Sequence, residues 1–303
     1  MTHTEVGPQA SDREILRGLE LKITRKLDGL LHGQYQGLVP GHGSEPGDTR
    51  EYQAGDDVRR IDWNVTARLQ VPHIRTTIAD RELETRVLVD LSPSIDYGTA
   101  DCEKRDLALA ATAAIGFITA RSGNRFGALL LHDGRLQDIP AKGGSDHLRS
   151  ILHRIQNADR VEGRPSDLAL AVTRLGATTR RSGLAVVISD FLASDGWPQA
   201  MRRLAMEHQL LAVEVLDRRE LELPAVGLVP LVDVETGAVR EVNTSDPALR
   251  ARYAAAANAQ RAQIAANLRE ARADHLQLRT DRDWLFDIVR FVDLQRRTRA
   301  ARP

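Results

Sequence analysis

Cysteine is nearly absent from this chain: Cys102 is the one cysteine in 303 residues. No intramolecular disulfide and no cysteine-based metal cluster is possible, which fits a reducing, cytoplasmic setting. Net charge is absent as well, with Lys+Arg and Asp+Glu both at 42. That balance argues against a general binder of nucleic acid or anionic membrane. Long hydrophobic runs are missing too. The longest, residues 107–118, is shorter than the ~20 apolar residues of a membrane span and includes Thr112 and Gly116. It reads as a buried helix. Residues 1–14 hold no apolar stretch, so no signal peptide is expected. What remains is 42% hydrophobic and 28% charged, the balance of an ordinary globular protein.

The most informative stretch is 86–98. Val87, Leu88 and Val89 read as a strand buried on both faces. The strand stops abruptly in Asp90, Ser92 and Ser94, three oxygen-bearing side chains at alternate positions. In open α/β sheets, ligands bind at the carboxyl ends of strands. One carboxylate and two hydroxyls on a tight loop suit a hard divalent cation, which prefers oxygen ligands and keeps several waters. The competing reading is a strand end whose Ser and Asp cap the next helix. Two later stretches repeat the theme. Residues 183–190 form a second apolar strand ending in Asp190, and Ser166 stands at the expected N-cap of a helix running to about residue 180.

Asp90, Ser92 and Ser94 in one loop, a hydroxyl in a second and Asp190 in a third resemble the metal-ion-dependent adhesion site of von Willebrand factor A-type domains. The likeness covers about residues 84–217. The family usually has Thr where Ser166 stands, and Ser keeps the oxygen. The resemblance implies a metal site of Asp90, Ser92, Ser94, Ser166 and Asp190, holding Mg²⁺ or Mn²⁺.

Before this region lies a charge-dense segment that also contains Tyr52, Val58, Ile61, Trp63 and Val65. A solvated loop needs no Trp or Ile, so the segment is expected to pack on the body and to be ordered by ion pairs. Asp56, Asp57, Arg59, Arg60, Asp62 and Arg68 are read as a structural network rather than a catalytic one. The succession Arg50, Tyr52, Gly55, Asp56, Asp57, Arg59, Ile61, Asp62, Trp63, then Thr66, Ala67 and Arg68, resembles the signature of the "domain of unknown function 58" family, over roughly residues 30–295. That resemblance implies a partner, a MoxR-type AAA+ ATPase or its client, and a chaperone-like role in assembly or maturation. Many members carry transmembrane helices before the signature; none is read here.

Along the rest of the chain, Ser11 and Glu14 fit a capping box. Ile15, Leu16, Leu19, Ile23, Leu27 and Leu30 then form the apolar stripe of a helix to about residue 32. Residues 33–50 read as a Gly- and Pro-rich loop without the Lys-Ser/Thr of a phosphate-binding loop. Its neighbours His32 and His42 are too loosely spaced for zinc. Residues 73–79 read as an antiparallel edge strand. A helix over 101–121 is expected, capped by Asp101. Asp133-Gly134 marks a tight hairpin between 126–132 and 135–140. Helices at 147–157 and 197–207 and a strand at 209–215 follow. Then come a surface hairpin at 229–242, a helix over 247–273 whose arginines are read as solvated, a strand at 275–279 and a last helix over 283–297.

Alternating strands and helices predict an α/β fold. The expected architecture is a Rossmann-like von Willebrand factor A domain with a mostly parallel central sheet flanked by helices. The expected division is an N-terminal extension over 1–82 and an α/β domain over 83–303, with the hairpin and long helix inserted at about 217–274. The leading functional expectation is a non-enzymatic, metal-dependent interaction module without catalytic residues, without nucleic acid and without a membrane span. An acidic side chain from the partner would complete the metal's shell. The alternative is a haloacid-dehalogenase-like phosphatase with Asp90 as nucleophile. That chemistry wants a second carboxylate two residues on, where this chain has Ser92.

Overall fold

A computed structural model describes residues 49–53, 58, 61–75, 84–121, 123–160, 166–179, 183–193, 196–232 and 239–300. The expected helix before residue 32, the boundary at residue 82 and Asp56, Asp57, Arg59 and Arg60 lie outside these residues.

The four central strands of the main sheet are buried nearly throughout, whereas its two edge strands are partly exposed. Its members are β3 (Glu84–Asp90), β4 (Arg125–His132), β5 (Arg135–Lys142), β6 (Leu184–Ser189), β7 (Gln209–Leu216) and β10 (Asp274–Arg279). They lie in the order β10-β7-β6-β3-β4-β5, all parallel except the edge pair β4–β5. Numbered within the sheet, this is the doubly wound order 3-2-1-4-5-6.

Alternate residues of each strand point to opposite faces, and both faces are covered. Val87, Val89, Leu130, Val186, Ile188 and Val213 pack beneath α2 (Lys104–Arg121), α3 (Ser145–Gln156) and α7 (Trp284–Ala300). Leu88, Leu129, Val187, Leu210 and Ala212 pack beneath α4 (Leu168–Thr178), α5 (Trp197–Leu204) and α6 (Pro247–Glu270). Helix α2 is buried almost all round, as its Ala-rich sequence allows. The expected α/β, mostly parallel architecture is therefore the one observed.

Hairpin β4–β5 turns as its sequence dictates. Asp133 and Gly134 sit at φ 53° and 64°, the left-handed pair of a type I′ turn. β5 is thus the antiparallel edge strand, a role the sequence had pointed to residues 73–79. Those residues instead supply β2 (His73–Arg75), which pairs with β1 (Thr49–Glu51) in a separate two-stranded sheet. Residues 49 and 50 are accordingly strand rather than loop. Between β1 and β2, Asp62 is buried and caps α1 (Trp63–Leu69), accepting from the Asn64 and Val65 amides. Packing of the whole segment on the body does not hold: Trp63 is 70% exposed and Val58 60%.

Other differences are local. Helix α2 starts at Lys104, and Asp101 spends its amide on the Thr280 carbonyl instead of capping. Helix α4 is capped by Asp167, not Ser166. Hairpin β8–β9 (Leu228–Val232 with Val239–Asn243) forms its own two-stranded sheet. Leu294 faces outward on α7.

Gly183 leads into β6 where a Cβ would lie 2.1 Å from the Glu84 carbonyl oxygen, a backbone atom that cannot step aside. Gly183→Ala should cost about 1–3 kcal/mol of unfolding free energy through overpacking. Urea denaturation with an unchanged midpoint would contradict that close approach.

Candidate functional site

In a doubly wound sheet the chain reverses direction between two central strands, leaving a crevice at their carboxyl ends. Here those strands are β3 and β6, paired in parallel through Val89 opposite Ile188. The next residues on each, Asp90 and Ser189–Asp190, form the floor of the crevice.

Both carboxylates are nearly sealed from solvent, at 1% exposure. The Ser189 hydroxyl donates to Asp90 Oδ2 at 2.7 Å and the Ser92 amide donates to Oδ1 at 3.0 Å. The Ser92 side chain acts to lower the Asp90 pKa, and the Ser94 side chain that of Asp190. The Ser92 and Ser94 hydroxyl oxygens lie 3.1 Å apart. Asp90, Ser92, Ser94 and Asp190 thus form one oxygen cluster, drawn from two loops. Among the described residues no hydrogen bond joins Ser166 to the cluster, although the adjoining turn of α4 is close to the third loop. A Cβ on Gly196 would sit 3.3 Å from Ala169 Cβ.

Charge sets the two carboxylates of this cluster apart. Lys104 Nζ donates to Asp190 Oδ2 at 2.9 Å and pairs with Glu220. Arg261 pairs with Glu214 at 3.0 Å and Glu220 at 3.3 Å, and donates to the Asp190 carbonyl at 2.9 Å. His275 and Gln277 also serve Glu214. Among the described residues Asp90 alone of these carboxylates pairs with no cationic side chain. Burial, and then the negative charge of Asp190, push its carboxyl up to about 6, against the lowering effect of its hydroxyl and amide partners. Asp190 goes the other way: burial would raise it, but Lys104 with the Leu192 amide and the Ser94 hydroxyl holds it below the usual carboxylate range.

The loops are tied down from outside. Asp217 accepts from the Thr99 amide and hydroxyl, the Thr280 hydroxyl and the Arg219 amide, joining the first loop to the ends of β7 and β10. Arg105 pairs with Asp96 and donates to the Ala158 carbonyl, joining the first loop to the segment before Ser166.

No group of three or more His, Cys, Asp or Glu gathers as a metal centre among the described residues. The donor set is different in kind: two carboxylates and two serine hydroxyls, all oxygen. It suits Mg²⁺ or Mn²⁺, which accept hydroxyl and water ligands, better than zinc. Sequence reading missed Ser189, Lys104, Glu214, Glu220 and Arg261. Arg261 contradicts the solvated reading of the α6 arginines: it is buried, and Glu214 interrupts an otherwise apolar β7 to receive it.

The family model described as "Protein of unknown function DUF58" matches residues 48–263. The chain belongs to the DUF58 family. Uncharacterized proteins of Mycobacterium tuberculosis and Mycobacterium bovis are each 53% identical to this DUF58 chain over 283 residues, covering 93% of it and 89% of the relative. Among solved structures, the conserved hypothetical protein BatB from Bacteroides thetaiotaomicron is similar at 12% identity and a TM-score of 0.44, covering 71% of this chain and 99% of BatB. The SpRpn10 VWA domain is similar at 13% identity and a TM-score of 0.38, covering 68% and 93%. At such low scores these likenesses add nothing to a fold that strand order and register already establish. No helix among the described residues is long and apolar enough to cross a membrane.

The raised Asp90 carboxyl fixes a pH dependence. Its folded value, about 6, lies above the ordinary 3.8, so the metal-free fold holds a proton that the unfolded chain has released. That contribution is complete at low pH and is lost as pH rises from about 4 to about 6, on the order of 3 kcal/mol. Asp190, shifted down, acts in the opposite direction, so the variant isolates the Asp90 part. Without divalent cation, Asp90→Asn should unfold later than wild type at pH 7.5 and should lose the difference near pH 4. Thermal melts with no pH-dependent gap would refute the assignment.

Proposed function

We propose that this DUF58 protein is a non-enzymatic interaction module that captures a partner through a divalent cation held at the β3–β6 crevice. The observation that carries the reading is at Asp90: a buried carboxylate that among the described residues pairs with no cationic side chain and shares its loop with the hydroxyls of Ser92 and Ser94. Asp90, Ser92 and Ser94 would hold Mg²⁺ or Mn²⁺. Both oxygens of Asp190 are engaged, Oδ1 by the Leu192 amide and Oδ2 by Lys104, so Asp190 would act through a water or the Ser94 hydroxyl. Ser166 is the fifth expected ligand. When bound, the cation supplies an electrophilic centre for an acidic side chain of the partner. A MoxR-type AAA+ ATPase or its client as that partner, and chaperone-like maturation as the role, follow from the family resemblance alone.

The phosphatase alternative gains nothing from the geometry. Ser92 stands where a general acid is required, and its hydroxyl is bonded to that of Ser94.

Titration calorimetry should detect one Mg²⁺ or Mn²⁺ site, and Asp90→Ala should lose it while circular dichroism stays unchanged. Capture of a purified MoxR-type ATPase on a biosensor should require the same cation and the same Asp. Capture that persists in EDTA would overturn the reading.

A further inference from the structure

Lys104 is an unusual neighbour for a cation site. Its side chain is wholly buried, on the first turn of α2, the helix that follows the loop carrying Ser92 and Ser94. Burying an ammonium is costly unless it is fully paired. This one is paired twice: with Asp190 at 2.9 Å on the site side, and with Glu220 on the other. Glu220 belongs to the turn after β7, where its other oxygen accepts from the Asp217 amide at 3.1 Å and from Arg261 at 3.3 Å. Glu220 is therefore held in place by α6 and by its own turn, independently of the site.

A cation beside Asp190 and an ammonium on the same carboxylate repel each other through a poorly screened interior. Lys104 is divided between the carboxylate that would share the cation and a carboxylate that touches none of the site's oxygens. We propose that Lys104 is a built-in counter-ion that sets the cation affinity of the crevice, with Glu220 as the residue that holds its ammonium away from Asp190. Both are positioning residues, since neither contributes an oxygen to the cation. By linkage, an occupied site strengthens the Lys104–Glu220 pair, and with it the anchorage of the Arg218–Glu220 turn and of α6 through Arg261. The inference rests on the cation reading of the preceding subsection and goes beyond it by predicting the sign of changes at residues that are not ligands.

The test is Mn²⁺ titration calorimetry on the full chain at fixed pH. Lys104→Met should tighten Mn²⁺ binding by about tenfold or more, because the competing charge is gone. Glu220→Gln should weaken it by about tenfold, because the ammonium then rests wholly on Asp190. Lys104→Arg should stay near wild type. The double variant should bind like Lys104→Met, since Glu220 acts only through Lys104. Should Lys104→Met not fold, the weakening by Glu220→Gln remains decisive on its own, because a merely structural Glu220 would leave affinity unchanged. Shifts of the same sign in Lys104→Met and Glu220→Gln, or no shift in Glu220→Gln, would overturn the inference while leaving the cation site standing. No Mn²⁺ binding by wild type would overturn both.

Discussion

Two carboxylates end adjacent strands of one buried sheet, and the protein places a single ammonium against one of them. The candidate site depends on that imbalance. Asp190 has Lys104, and Glu214 and Glu220 share Arg261, so each is paired with a cationic side chain inside the fold. Among the described residues Asp90 has only hydroxyl and amide donors. An uncompensated carboxylate in a dry place must take up a proton or a cation, since the desolvation of the bare charge is too costly. The serines at positions 92 and 94 make the cation a workable solution, because a hydroxyl ligates through oxygen without adding charge.

The fold makes this imbalance possible. A sheet covered on both faces excludes water from its strands, and its doubly wound order opens one crevice at the rim. The buried Asp90, Asp190, Lys104 and Asp217 collect at that rim. Asp217 and Arg105 stitch the first loop to its neighbours, so the oxygens of Ser92 and Ser94 are held by structure outside the crevice. The cost is a set of buried charges on β7, α2 and α6 that would destabilise the fold if any partner were missing.

The rim of the sheet was readable in the amino-acid sequence because strand ends announce themselves: an apolar run stops in Asp90, another in Asp190, and Asp133-Gly134 admits only a tight turn. Asp90 and Asp190 lie at the ends of the paired strands β3 and β6, and among the described residues no hydrogen bond joins Ser166 to them. Capping misled the reading there, because Asp167 outcompetes its neighbour for the Leu170 amide. The positive half of the network was illegible. A lysine at the start of a helix and an arginine in an Arg-rich helix look solvated in one dimension. Their burial depends on Glu214 and Glu220, partners distant in sequence that only the assembled sheet brings near. Residues 73–79 misled for a related reason: three of them found a partner in β1, which sequence alone read as loop.

The most direct measurement is anomalous X-ray scattering from crystals of the protein soaked in Mn²⁺. The account predicts a single strong peak beside the Asp90 carboxylate, within coordination reach of the Ser92 and Ser94 hydroxyls. Saturating Mn²⁺ with no peak in the crevice, and the Asp90–Ser92–Ser94 oxygens still bonded to one another, would contradict it.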